Sequence, residues 1–142
     1  MKMHSLGLAL LGALSMISAH AEEPGPDGLL TQELRTFVAT LQIAVKSDSP
    51  EQVAPLIQFP LRVNTAPGKS YSVTARRFSA EYGKIFTPAV KAAVLQQVPD
   101  EIFRNSNGAM LGNGEVWISG VCRDQSCQVA PPKVTAINIG GK

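Results

Sequence analysis

The chain has 142 residues, 13 basic and 11 acidic, giving a formal net charge of +2, and 44% of it is hydrophobic. That is enough for one domain with a real core and little else. Basic residues cluster nowhere beyond the pair Arg76-Arg77, so composition gives no support to nucleic-acid binding.

Met1-Lys2-Met3-His4 is a short basic start, and Ser5 to Ser18 is an apolar run. Ala19-His20-Ala21 places small residues where signal peptidase reads them. Residues 1–21 are therefore expected to be a signal peptide, cut before Glu22, on an exported bacterial protein bound for the periplasm or the medium. The apolar run falls short of the about 20 residues a spanning helix needs, and after it no further long apolar stretch follows. No cysteine stands at the cut and no arginine pair precedes the run. His4 and His20, the only histidines, leave with the signal. The mature chain loses the commonest metal ligand and the commonest acid–base side chain near neutral pH. It keeps 121 residues and a net charge of +1. Glu22 to Gly28, with two prolines and two glycines, reads as a mobile leader before a single domain at 29–142.

Leu30, Leu34, Phe37, Val38, Leu41 and Val45 recur at helical spacing, predicting a helix over Leu29–Lys46. Ser49-Pro50-Glu51-Gln52 predicts a second, short helix, with Ser49 as cap, Gln52 reaching back and Phe59-Pro60 as its stop. Phe59 to Asn64 alternates as a strand. Ala66-Pro67-Gly68-Lys69 turns it, and Tyr71 to Thr74 forms the hairpin partner. Phe78, Tyr82, Ile85 and Phe86 return to helical spacing. Thr87-Pro88 then caps and opens a further helix with Val90, Ala93 and Val94 inward, ending at Val98-Pro99. Asn105 to Gly108 and Gly112 to Gly114 are turn chemistry. Ala109 to Leu111, Glu115 to Cys122 and Cys127 to Ile139 supply strands, the last interrupted at Pro131-Pro132. The expected class is α+β: N-terminal helices packed on a curved, mostly antiparallel sheet.

Cys122 and Cys127 enclose four residues. In an oxidising compartment they should form a disulfide that pinches a hairpin tip, contributing roughly 2 kcal/mol. A redox pair would be closer together and at a helix start, and two thiolates without histidine make a poor metal site.

The order of front helices, strand pair, helix and strands carrying Gly108, Leu111-Gly112 and Gly114-Glu115-Val116-Trp117-Ile118, with closing Ile137-Asn138, resembles the NTF2-like (cystatin-like cone, SnoaL-like) superfamily. It is similar in particular to small exported bacterial proteins with a Phe-Pro-Leu segment such as Phe59-Pro60-Leu61. The likeness spans roughly residues 30–140. The extra helical run after Thr87 departs from it. It implies a curved sheet wrapped on a long helix, with a cone pocket or a sheet face that forms dimers. Members include enzymes, binding domains and structural modules, so fold alone does not choose a function.

An Asp–His site of the kind such enzymes use is excluded by the missing histidine. A Tyr/carboxylate site could still draw on Tyr71 or Tyr82 with Glu81 or Glu115, although Tyr82 shares the core stripe of Phe78 and Phe86. Trp117 shares its strand face with Glu115 and Ser119. It either fills the interior or, if Val116 and Ile118 face the helices, stands on the open side for a ligand or partner. Arg62 projects opposite Phe59, Leu61 and Val63 if that strand is regular, and Arg76-Arg77 hints at a partner carboxylate. Asp100-Glu101 caps a turn. No nucleophile elbow, phosphate loop or metal spacing occurs. The sequence thus expects a non-enzymatic exported domain without cofactor. Trp117, Glu115, Tyr71 and Arg62 are its candidate contacts to a small molecule, a protein or a second copy. The rival readings are a pocket enzyme of isomerase or hydrolase type and a periplasmic inhibitor or immunity protein presenting the Cys122–Cys127 loop.

Overall fold

A computed structural model describes residues 12, 15, 16 and 18–140. The basic start and most of the apolar run of the expected signal lie outside the described residues. Among those described, no helix is long and apolar enough to cross a membrane.

Among the described residues, four helices and six strands make an α+β domain. Helix α1 spans Thr31–Ser47 and α2 spans Pro50–Val53, followed by a 3-10 turn at Ala54–Leu56. Strands β1 (Ile57–Ala66) and β2 (Lys69–Val73) form a hairpin, and α3 (Ala75–Ile85) and α4 (Pro88–Leu95) follow. Strands β3 (Phe103–Asn105), β4 (Gly108–Leu111), β5 (Val116–Gly120) and β6 (Pro132–Asn138) form a meander. The sheet order is β2-β1-β6-β5-β4-β3. All pairings are antiparallel except β1 with β6, which joins the hairpin to the meander.

Period-two alternation puts Leu61, Val63, Val116 and Ile118 on one face, and a register shift between β5 and β6 brings Val134 and Ile137 to it as well, so that all six are fully buried. Helix α1 packs against α4 and β6, α3 against β1, and α4 against β5. Phe78 centres an aromatic cluster, edge-on to Phe59, Tyr82 and Phe86 at 5.3, 5.8 and 6.2 Å. Gln42 Nε2 donates to the Val94 and Gln97 carbonyls at 2.9 Å, so α1 satisfies the open end of α4. Thr87 caps α4 as expected, accepting from the Val90 N–H at 3.3 Å.

Several expectations need correction. Leu30 stays exposed because it is the N-cap of α1, and Leu29 takes the core position instead. The Ser49 side chain does not cap α2: its hydroxyl donates to Glu51 at 2.9 Å, and its backbone carbonyl accepts from Gln52 and Val53. Phe59-Pro60 lies inside β1 rather than ending a helix. There the β1–β6 register slips between Ile57 and Arg62, since proline has no N–H for the ladder. Helix α4 ends at Leu95, before Val98-Pro99. Strand β5 stops at Gly120, although Val121 and Arg123 still donate to Pro131 and Val129 across the pinched loop.

The leader is tied down at its C-terminal end. Arg104 of β3 donates through Nε and Nη2 to both Asp27 oxygens at 2.7 and 2.6 Å, and to the Leu29 carbonyl at 2.6 Å. Gly25 sits where any Cβ would run into that guanidinium. Burial alone would push the Asp27 carboxyl up. The Arg104 bonds, the Leu29 N–H and the guanidinium charge outweigh it and hold the group below the usual carboxylate range. Glu22 accepts from the Thr31 N–H at 2.8 Å, placing a carboxylate at the positive end of α1.

Candidate functional site

The helices cover one face of the sheet. On the other face the register aligns Met110, Trp117, Ala136, Arg62 and Ser72 as one cross-strand row from β4 to β2. Val116 and Ile118 do face the core, so Trp117 stands on the open side, half-buried. Leu61 and Val63 are buried while Arg62 is exposed, so that stretch of β1 is regular. Towards the strand ends the Asn64–Asn138 pair follows, and the Asn138 N–H donates to the Glu115 carbonyl at 2.8 Å.

These residues surround a cavity of about 840 Å³, whose wall includes Arg62, Asn64, Lys69, Met110, Glu115, Trp117 and Asn138. A chain of hydrogen bonds holds it in shape. Arg62 Nε donates to Asn64 Oδ1 at 2.9 Å, Asn64 Nδ2 to Asn138 Oδ1 at 2.6 Å, and Asn138 Nδ2 to the Gly114 carbonyl. The Asn113 N–H donates to Glu115 Oε2 at 2.6 Å, folding that carboxylate back over its own turn. Gly114 adopts a φ of 107°, and a Cβ there would reach Met110 Sδ at 3.4 Å, so its lack of a side chain keeps that wall clear.

Three of the sequence candidates, Arg62, Glu115 and Trp117, therefore share one cavity. Tyr71 does not join them. It pairs with Val63 on the helix-facing side, and its hydroxyl is pushed up by burial and then by the charge of Glu81. Glu81 is itself paired with Arg77 one helical turn away, which gives Arg77 a partner within the chain. Tyr82 lies in the aromatic cluster, its hydroxyl buried without a hydrogen-bond partner and pushed by burial up to about 12. No hydrogen bond joins either tyrosine to Glu81 or Glu115 among the described residues. A phenol so reluctant to ionise is a poor base at neutral pH. Asp100 pairs with Arg35 at 2.7 Å.

Asn64, Lys69, Met110 and Asn138 were not among the sequence candidates. Asn64 and Asn138 each carried a faint signal, an amide inside a strand pattern, but their pairing depends on the parallel β1–β6 contact across 74 residues. A second, more apolar cavity of about 400 Å³ lies beside Cys122, between Phe37, Leu56, Val121 and Pro131. Cys122 and Cys127 form the expected disulfide, with Cα atoms 4.7 Å apart. Among the described residues no cluster of His, Cys, Asp or Glu could hold a metal ion. Comparison with protein-family models, with curated proteins and with solved structures finds no match for this chain.

Proposed function

We propose that this is an exported, non-enzymatic binding domain of the NTF2-like kind, which holds a small ligand in the cavity around Trp117. The observation that carries the reading is convergence. Arg62 of β1 meets Glu115 and Trp117, neighbours on one face of the β5 segment, on the sheet face opposite the helical layer, around a cavity braced by the Arg62–Asn64–Asn138–Gly114 chain, with only Ala89 at the start of α4 reaching its wall. Cavities of this volume suit small molecules, and a prepaid hydrogen-bonded wall limits the ordering cost of binding. The signal-like N-terminus and the disulfide support export to the periplasm, where such bonds persist. The front helices, the hairpin and the closing strands follow the order on which the NTF2-like resemblance rests, and the second helix after the hairpin departs from it. An enzymatic reading finds no support in the tyrosines, for the reasons just given.

The test is to titrate the mature chain, residues 22–142, with a small-molecule extract of periplasm while following backbone and indole resonances. Shifts confined to Trp117, Arg62 and Asn138 are expected. Their absence, or sedimentation showing a second copy seated over Trp117, would overturn the reading.

A further inference from the structure

The cavity wall offers an incoming molecule mostly donors. Asn64 Oδ1 accepts from Arg62, and Asn138 Oδ1 accepts from Asn64, so the amide oxygens are engaged within the chain. The one carboxylate, Glu115, accepts from the Asn113 N–H through Oε2 alone, so the wall sets two cations, Arg62 and Lys69, against a single anion. Left over are the terminal nitrogens of Arg62, Lys69 Nζ and Trp117 Nε1. None of these has a hydrogen-bond or ion-pair partner among the described residues. The four ion pairs there use Arg35, Arg77, Lys91 and Arg104 instead. The indole nitrogen is 4.0 Å from where a Gly114 Cβ would sit, so it borders the space which that glycine keeps clear. Ala89 brings the first turn of α4 to the same wall, and the partial positive charge of a helix start has the same sign as the two cations. Beside these donors lie the Trp117 ring and the Met110 thioether, an apolar floor suited to a flat body.

We infer that the cavity selects an organic oxyanion, a carboxylate or phosph(on)ate attached to a flat apolar group. This deepens the binding function proposed above and rests on it. Arg62 and Lys69 take the oxyanion, the indole N–H adds a donor, and Trp117 and Met110 hold the apolar body. Arginine suits the role because its planar fork matches two oxygens.

The test uses four probes with the same ring system: 2-naphthylacetate, 2-naphthylmethylphosphonate, 2-naphthylacetamide and 2-(2-naphthyl)ethylamine. Calorimetry on the disulfide-bonded mature chain reads affinity, and the indole N–H resonance of Trp117, the only tryptophan, reports position. The acid or the phosphonate should bind and shift that resonance, and their ratio tells which oxyanion is preferred. The amide should bind at least about tenfold more weakly, and the amine not at all, as expected for a charge-assisted contact. Arg62→Gln should weaken the oxyanions about tenfold and leave the amide unchanged, with Lys69→Gln as a second variant that leaves the Asn64 bond intact. Equal binding of acid and amide would overturn the oxyanion inference while leaving the binding function standing. Failure of every probe would also overturn it, with the binding function then judged by the extract titration alone. Binding that leaves the Trp117 resonance unmoved would overturn both.

Discussion

Asp27→Asn should be among the most damaging single-atom-scale changes in this protein. The Asp27 carboxylate is covered and Arg104 is only 15% exposed, so the pair is part-buried and only partly screened by water and salt. The substitution removes one charge and leaves a guanidinium under the leader without its counter-ion. Breaking a buried pair from one side costs about 3–5 kcal/mol. Arg104 keeps the Leu29 carbonyl and the Thr31 hydroxyl, at 2.6 and 3.0 Å, and asparagine retains one acceptor, so the lower end, about 3 kcal/mol, applies. For a domain of about 120 residues that corresponds to a loss of roughly 12 °C in Tm. Asp100→Asn is the matched control, because Arg35–Asp100 is 43% and 73% exposed and such pairs contribute about 0–1 kcal/mol. Urea unfolding of residues 22–142 at pH 7, followed by circular dichroism, reads both. A loss under about 1 kcal/mol for Asp27→Asn, or one equal to that of Asp100→Asn, would refute the claim that the leader is locked to β3.

The same pair sets an acid response. The folded Asp27 carboxyl lies below its ordinary range, so its stabilisation is fully present above about pH 4 and is lost as pH falls through the folded value. The stability gap between wild type and Asp27→Asn should hold steady from pH 7 to 5 and narrow below about 4, as read by unfolding at stepped pH. Replacing Cys122 and Cys127 together by Ser should cost about 2 kcal/mol by calorimetry and leave far-UV circular dichroism unchanged, since the bond closes only a short exposed loop. Phe78→Ala should cost about 3–5 kcal/mol in urea unfolding, whereas Ile43→Ser, at a site 70% exposed, should stay within about 0.5 kcal/mol of wild type. Gly108→Ala should lower Tm markedly, because its φ is 134° and a Cβ would strike the Ile118 carbonyl.

The elements legible in the sequence were those whose signals are local. The stripe of Leu34, Phe37, Val38, Leu41 and Val45 fully accounts for α1, and Thr87-Pro88 marks the start of α4. The alternation of Val116, Trp117 and Ile118 already separated the two faces of β5, and the structure decides which one is open. Strand β3 was missed, because three residues, Phe103 to Asn105, are too few for a period to register. Its Arg104 anchors the leader only through a contact across 77 residues. The cavity was half-legible for the same reason. Trp117 and Arg62 were visible as strand residues opposite apolar neighbours, but Asn64 and Asn138 meet only through the parallel pairing of the first strand with the last. Tyr71 falls on the helix-facing side, away from Arg62 and Trp117, because hairpin register, set at Ala66–Lys69, decides its face, and a one-residue shift inverts it.

The most direct test of the proposed binding function is the indole N–H resonance of Trp117 in residues 22–142 as periplasmic small-molecule extract is added. A saturable shift that Trp117's neighbours Arg62 and Asn138 share, and that Arg62→Gln diminishes, is the predicted result. A resonance that stays fixed while the extract saturates some other part of the chain would contradict the account.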